Sequence, residues 1–215
     1  MKSILISIQP KWCELIASGK KTVEVRKTVP KLETPFKCYI YCTNTKPYLV
    51  WGDVFRGGSF ENEFTHLSGY NRKAAEEIWD LFNGKVMGEF TCDNIFEIVE
   101  CFDIHHELPG SPVEKWLTWD DAPDEYDSQE DIEKATCLSM DEITAYMGAS
   151  GGLFCWHISD LVIYDAPKPL SDFTIDCNSK GGCDIPYLYA PPCENCGKNK
   201  LTRPPQSWCY VEEFK

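Results

Sequence analysis

The chain of 215 residues has no run that approaches the roughly 18 consecutive apolar residues of a membrane span. It is also poor in positive charge, with 21 Lys and Arg against 34 Asp and Glu and a formal net charge of -13. Loose binding to nucleic acid is disfavoured, because that mode needs many cations to neutralise phosphates. A local basic cleft remains compatible with this balance. We expect a cytoplasmic protein with no membrane partner.

Two fold-level signals are missing as well. No Gly-rich turn follows the apolar strand pattern of residues 3–7, which excludes a Rossmann dinucleotide site, and no internal repeat is present. Strand and helix patterns are mixed without regular βαβ alternation, while a hydrophobic content of 43% suffices for a globular core. The sequence therefore predicts the α+β class, with a small mixed β-barrel and flanking helices.

The first helix is the clearest local prediction. Trp12, Leu15 and Ile16 follow the i, i+3, i+4 spacing of one buried helical face. Gly19 stands where a left-handed C-cap is needed. Together these signals predict a helix over residues 10–18.

Alternating and apolar patterns predict the strands. They cover residues 22–27 and 37–43, which we expect to be neighbours, then 85–100 with a turn at its middle, and 154–164. Ser139, followed three residues later by a glutamate, predicts a short capped helix before the last of these strands.

Residues 19–26 read Gly-Lys-Lys-Thr-Val-Glu-Val-Arg, and the last three of their four charged residues, Lys21, Glu24 and Arg26, lie where the predicted helix is followed by a strand. Glu24 and Arg26 share one strand face, and the valines between them face the core. Lys21 can join them only if it precedes the regular strand. In a cleft, Arg26 would bind a phosphate or base edge, Lys21 would supply charge or a proton, and Glu24 would hold Lys21 or act as a base. The alternative is an ion network that orders the turn.

The spacing Gly-x-Lys-x-x-Glu-x-Arg over residues 19–26 resembles the signature of the ASCH family, a branch of the PUA-like superfamily. The resemblance extends to residues 85–90 and 156–165, which are similar to strands of that fold. Residues 203–212 are similar to the ending of phage and prophage members. The resemblance implies a phage-derived protein whose β-barrel cleft accepts RNA or a nucleotide-derived ligand.

The same resemblance raises the question of catalysis. Some ASCH members are similar to acetylcytidine amidohydrolases, in which the position matching Lys21 is catalytic and the position matching Glu24 is a threonine nucleophile; others are linked to RNA cleavage. Glu24 departs from that pattern, and Glu133 is only a loose match to a later glutamate. The resemblance thus implies binding first, with Lys21 and Glu24 catalytic if the chain hydrolyses a modified nucleoside or RNA. A third interpretation is a protein-interaction module that engages a host factor through acidic residues 120–133.

His157 and Ser159 share a parity on the strand predicted over residues 154–164. We expect them to project into the same polar space, with the histidine hydrogen-bonded to the barrel. No nucleophile-elbow pattern surrounds Ser159. Both join Lys21, Glu24 and Arg26 in the predicted ligand-binding set.

The cysteines fall into two groups. Four lie in a segment rich in Gly, Pro and Asn and predict a structural Zn²⁺ site: Cys177, Cys183, Cys193 and Cys196. Cys209 is the rival fourth ligand, although its strand context favours a buried thiol, and an unmetallated loop with reduced thiols is the alternative. Seven others are expected to be reduced and mostly buried: Cys13, Cys38, Cys42, Cys92, Cys101, Cys137 and Cys155.

These signals divide the chain into three parts. An ASCH-like barrel is predicted over residues 1–170, with an insertion near 44–84 and a solvated acidic loop near 118–135. A zinc-binding loop over residues 171–202 and a closing barrel strand over 203–215 complete the prediction.

Overall fold

The structure is a computed structural model that describes residues 2–44, 81–102, 115–119, 121–175 and 200–213. The chain divides into two compact units. The first comprises Met1–Glu14, Lys37–Phe90 and Leu161–Lys215, and the second comprises Leu15–Phe36 and Thr91–Asp160.

Helices and strands are mixed along the described residues, which confirms the predicted α+β class. The strands are β1 (Lys2–Ile8), β2 (Val23–Arg26), β3 (Phe36–Cys42), β4 (Val86–Cys92), β5 (Ile95–Phe102), β6 (Lys115–Thr118), β7 (Gly152–His157), β8 (Ser159–Lys168) and β9 (Trp208–Glu212). The α-helices are α1 (Pro10–Ala17), α2 (Gln129–Thr136) and α3 (Met140–Met147), and short 3-10 helices lie at Asp124–Tyr126, Gly148–Ser150 and Leu170–Asp172.

The first unit is built on a five-stranded sheet with the order β8-β4-β3-β1-β9. Strand β1 pairs in parallel with β3, with Ile4 opposite Cys38, and antiparallel with β9, with Leu5 opposite Cys209. Residues 3–8 of β1 are all buried, as expected for a strand covered on both faces. One core cluster of this unit consists of Leu5, Tyr39, Tyr41, Val86, Phe173, Leu201 and Val211.

The second unit is built on an antiparallel four-stranded sheet with the order β2-β7-β5-β6. Apolar residues of α2 and α3 pack with side chains of β2, β5 and β7 to form its core. The fully buried members include Val23, Phe96, Ile98, Ile132, Ile143 and Leu153. The valines of β2 therefore lie on the core face, as their spacing predicted.

Both helices of this core begin with a capping box. Ser139 caps α3 and exchanges hydrogen bonds with Glu142, which confirms the prediction for this helix. Ser128 caps α2 in the same way with Asp131. Because each box satisfies backbone donors at the helix start, it fixes where the helix begins.

Several sequence expectations need correction. The described strands form two sheets that are not closed into a barrel. The expected pairing of residues 22–27 with 37–43 is wrong, because β2 pairs with β7 while β3 lies between β4 and β1. The predicted strand over residues 154–164 is divided at Ile158 into β7 and β8, which belong to different sheets.

The acidic stretch was expected to be a solvated loop near residues 118–135. Instead it contains the 3-10 helix at Asp124–Tyr126 and most of α2, because Ile132 and Ala135 supply a buried face beneath the exposed acids. The capping pattern of Ser128 and Asp131 is a sequence signal that could have identified this helix.

Some predictions fall on other parts of the chain. The insertion near residues 44–84 lies almost entirely outside the described residues. No described helix is both long enough and apolar enough to cross a bilayer. Of the seven cysteines predicted as mostly buried thiols, Cys101 and Cys137 are half-buried and the other five are buried.

Candidate functional site

The charged junction is shaped by the turn between α1 and β2. Gly19 ends the helix with a φ of 71°, in the left-handed region that favours glycine. The backbone N–H groups of Lys20 and Lys21 both donate to the Leu15 carbonyl, at 2.9 and 3.0 Å. Strand β2 begins only at Val23, so Lys21 precedes the regular strand, as its joining the cluster required.

The three predicted charges lie together. Lys21 Nζ is 3.5 Å from Glu24 Oε2, and an Arg26 guanidinium nitrogen is 3.0 Å from Glu24 Oε1. We call these three residues the charged triad. Their exposed fractions are 3%, 6% and 9% in chain order, so the triad is buried.

The triad is also tied to α2. Lys21 Nζ donates a hydrogen bond of 2.7 Å to the backbone carbonyl of Thr136, the last residue of that helix. Carbonyls at a helix C-terminus lack intrahelical partners and carry partial negative charge, so an ammonium group there is favourable. Sequence reasoning missed Thr136, because a backbone acceptor more than a hundred positions away leaves no motif.

The strand register shows what shares a face with the triad. Glu24 lies opposite Trp156 and Arg26 opposite Phe154, so these side chains lie on the face of β2 away from the valines. Trp156 is fully buried and packs edge-to-face on Phe36, with ring centroids 5.8 Å apart. Within the described residues, Glu24 Oε2 accepts no hydrogen bond.

His157 does not join the triad. It lies opposite Val23, so it projects from the other face of the sheet. Its Nδ1 is 2.6 Å from Asp93 Oδ1, its Nε2 is 3.8 Å from Glu125 Oε1, and the Tyr126 ring lies 6.3 Å away. Sequence reasoning missed these neighbours, because neither Asp93, between β4 and β5, nor the 3-10 helix at Asp124–Tyr126 stands at a recognisable spacing from His157.

Ser159 and His157 interact with the same residue, Asp93. The Ser159 Oγ donates to the Thr91 carbonyl at 2.9 Å and also interacts with Asp93. Burial tends to raise the pKa of Asp93, but hydrogen bonds and charge attraction from His157, with Ser159 contributing, lower the pKa overall. The sequence thus predicted a shared polar space for His157 and Ser159, but this space is separate from the triad.

The thiol closest to the triad in the sheet register is Cys155, opposite Val25. Burial raises the pKa of the Cys155 thiol to about 12. Smaller effects come from the positive charge of Lys21, which lowers the pKa, and from the negative charge of Glu24, which raises it. A thiol with so high a pKa is protonated at neutral pH and is a poor nucleophile.

The four predicted zinc ligands, from Cys177 to Cys196, lie outside the described residues. Among the residues that are described, no group of three or more His, Cys, Asp or Glu side chains is arranged to hold a metal ion. Cys209 lies in β9 and packs at the edge of the first unit's core. The zinc site therefore stays a prediction.

Comparisons with known proteins give distant likenesses. No family model matches the chain, and no curated protein matches it. The crystal structure of ASCH from Zymomonas mobilis has 15% identity and a TM-score of 0.41, covering 78% of this chain and 73% of that chain. A serine-to-alanine variant of the same protein has 14% identity and a TM-score of 0.45, covering 98% and 89%. A tyrosine-to-phenylalanine variant has 16% identity and a TM-score of 0.39, covering 79% and 77%.

Proposed function

We propose that this chain is an RNA- or nucleotide-binding protein of the ASCH/PUA-like kind, and that its ligand contacts the charged triad. The observation that carries the proposal is the burial of Lys21, in the turn before β2, against Glu24 and Arg26, which share one face of that strand. The sequence resemblance supports the same residues, since they are the charged positions of the ASCH-like spacing.

The cations of the triad suit an anionic ligand. Two of its three members, Lys21 and Arg26, are cations, and cationic groups form their strongest hydrogen bonds with anionic acceptors. A phosphate group, or the electron-rich edge of a base, would complement these cations.

The three residues have different roles in this proposal. Arg26 has the most exposed side chain of the triad, at 11%, and its guanidinium is oriented by Glu24. A guanidinium presents several donors in a rigid plane that suits a phosphate. We therefore assign ligand contact to Arg26, and positioning to Glu24 and Lys21.

The hydrolase alternative uses the same residues differently. Glu24 would have to act as a base, yet its two oxygens face Arg26 and Lys21 at 3.0 and 3.5 Å. A carboxylate engaged by two cations suits positioning better than proton abstraction. Glu24 Oε2 remains able to accept a hydrogen bond from a base amino group.

The proposal is tested by fluorescence anisotropy with a short, labelled single-stranded RNA and with the labelled mononucleotides. Arg26→Lys keeps the charge but loses the planar donors, and we expect binding to weaken about tenfold. Lys20→Met is the matched control, because Lys20 is exposed beside Lys21 and should leave binding unchanged. Circular dichroism shows whether each variant is folded.

Two outcomes would change the proposal. Unaltered binding by folded Arg26→Lys and Arg26→Met would leave the triad as an ion network that orders the turn. Cleavage of the RNA, or release of acetate from acetylcytidine, by the wild type but not by Glu24→Gln would favour the hydrolase.

We also infer that the cysteine-rich segment binds zinc structurally. Four thiolates from Cys177, Cys183, Cys193 and Cys196 would fill a tetrahedral site and leave no position open for catalysis. Metal analysis of purified Cys193→Ser should show less bound zinc than the wild type, whereas unchanged zinc would exclude Cys193 as a ligand.

A further inference from the structure

A groove lies in the second unit, between the end of β6 and the 3-10 helix at Asp124–Tyr126. It has a volume of about 340 Å³ and is lined by Leu117, Thr118, Trp119, Ala122, Tyr126 and Asp127. This volume falls at the lower end of the range for ligand pockets. The groove has room for a large apolar side chain rather than for an extended cofactor.

The floor of the groove is held in place by the core. Trp119 Nε1–H donates to the Tyr126 carbonyl at 2.7 Å, and the Ala122 N–H donates to the Trp119 carbonyl at 3.0 Å. The Tyr126 ring stacks on Phe96 with centroids 5.2 Å apart. The groove is therefore preorganised, which lowers the entropy cost of binding.

An edge strand forms one side of this surface. Among the described strands, β6 is last in its sheet, and Trp116 on it is 48% exposed. The aromatic side chains that line the groove are Trp119 and Tyr126, and aromatic residues are common anchors of protein interfaces.

The acidic residues around the groove, which we call the rim, favour a positively charged occupant. Residues 121–135 contain seven carboxylates and one lysine, Lys134. Asp127 lines the groove, and three further carboxylates adjoin lining residues in the chain; all four are exposed: Asp121, Asp124, Glu125 and Asp127. A polyanion such as RNA would be repelled, and so would a second copy of a chain whose net charge is -13.

We propose that this groove docks a basic peptide segment of a partner protein, with one large apolar side chain in the groove and Lys or Arg side chains on the acidic rim. This surface lies on residues different from those of the triad, and the inference does not rest on the proposed function. Rim charges of this kind mainly accelerate encounter and set specificity, so the interaction should weaken with salt.

The test uses three synthetic peptides of equal length: alternating Lys and Leu, alternating Lys and Ser, and alternating Glu and Leu. Binding to the full chain is followed by tryptophan fluorescence and by calorimetry, at low and high salt. We expect the Lys-Leu peptide alone to bind tightly, with affinity that falls as salt rises. Equal binding of the Lys-Ser peptide would show that no apolar side chain is needed in the groove. Binding of the Glu-Leu peptide, or of none of the three peptides, would overturn the proposal as a whole.

Matched variants locate the site. Asp127→Lys reverses a rim charge and should weaken binding of the Lys-Leu peptide about tenfold, whereas Asp165→Lys reverses an exposed charge in the first unit and should not. Ala122→Phe fills the groove and should abolish binding while the near-ultraviolet circular dichroism is retained. Equal losses in Asp127→Lys and Asp165→Lys, or unchanged binding by folded Ala122→Phe, would contradict the proposal. A dimer in sedimentation that Ala122→Phe dissociates, without peptide binding, would assign the groove to a second copy instead.

Discussion

The two faces of β2 and β7 both carry polar groups, but in different surroundings. On one face, Glu24 and Arg26 belong to a triad whose side chains are only 3–11% exposed. On the other face, His157 and its partner Asp93 have side chains that are 23% and 43% exposed. The first group of side chains is shielded from water, whereas the second group is in partial contact with water.

Because of this difference in burial, the two clusters should contribute unequally to folding stability. Buried charges depend on one another, because removing one leaves the others desolvated and unpaired. Charges at the surface are screened, and their pairing contributes little to stability. Substitutions in the triad should therefore change folding strongly, whereas substitutions around His157 should change it weakly.

The largest effect is expected for Glu24→Ala. It leaves Lys21 and Arg26 buried without their shared carboxylate, and should lower the free energy of unfolding by about 3–5 kcal/mol in urea titrations. Glu33→Ala, at an exposed position, is the control and should change it by less than about 0.5 kcal/mol. A loss below about 1 kcal/mol in Glu24→Ala would show that the triad is not energetically coupled.

A smaller effect is expected for Lys21→Met. The apolar stem is kept, but the Thr136 carbonyl loses its donor and Glu24 loses one of two cations. Because Arg26 still pairs with Glu24, the expected loss is about 1–3 kcal/mol, measured by the same titration. Lys20→Met should be neutral, and similar losses in both variants would contradict the role of burial.

Helix α2 is part of the surroundings of the triad, because the carbonyl of its last residue accepts the hydrogen bond from Lys21. Ser128→Ala removes the N-cap at the far end of this helix and should cost about 1 kcal/mol in thermal or urea unfolding. Ser128→Asp keeps a capping oxygen and should restore most of that loss. If Ser128→Asp is as unstable as Ser128→Ala, the loss does not come from capping.

The smallest effect is expected for the partly exposed pair of His157 and Asp93. The pKa of Asp93 is lowered in the folded state, so its contribution to stability is complete above the unfolded value of about 3.9 and is lost as pH falls through the folded pKa. Asp93→Asn should cost about 0–1 kcal/mol at neutral pH, since the pair is partly exposed. The free energies of unfolding of the wild type and of Asp93→Asn, measured from neutral to strongly acidic pH, should become equal at the acidic end. A constant difference across that range would contradict the assignment.

Much of the local structure could be predicted from the sequence. The helix ending before Gly19, the capping box at Ser139 and the parity of Glu24 and Arg26 are set by residues close in the chain. Local spacing determines these features, and the structure contains all of them.

Long-range pairing could not be predicted in the same way. The partner of β2 is β7, more than a hundred residues away, and the acceptor for Lys21 is a helix carbonyl of Thr136. Neither choice leaves a local pattern, because many strands and carbonyls could serve. The separation of His157 from the triad follows from the same register, since a residue opposite Val23 must project to the core side.

Nuclear magnetic resonance can show whether the ligand binds at the triad. Backbone amide shifts would be recorded on the full chain during titration with the short single-stranded RNA and the mononucleotides. We expect the largest shift changes at residues 21–26 and around Thr136, and we expect these changes to be absent in folded Arg26→Met. Shifts confined to other residues, or identical shifts in Arg26→Met, would contradict this expectation.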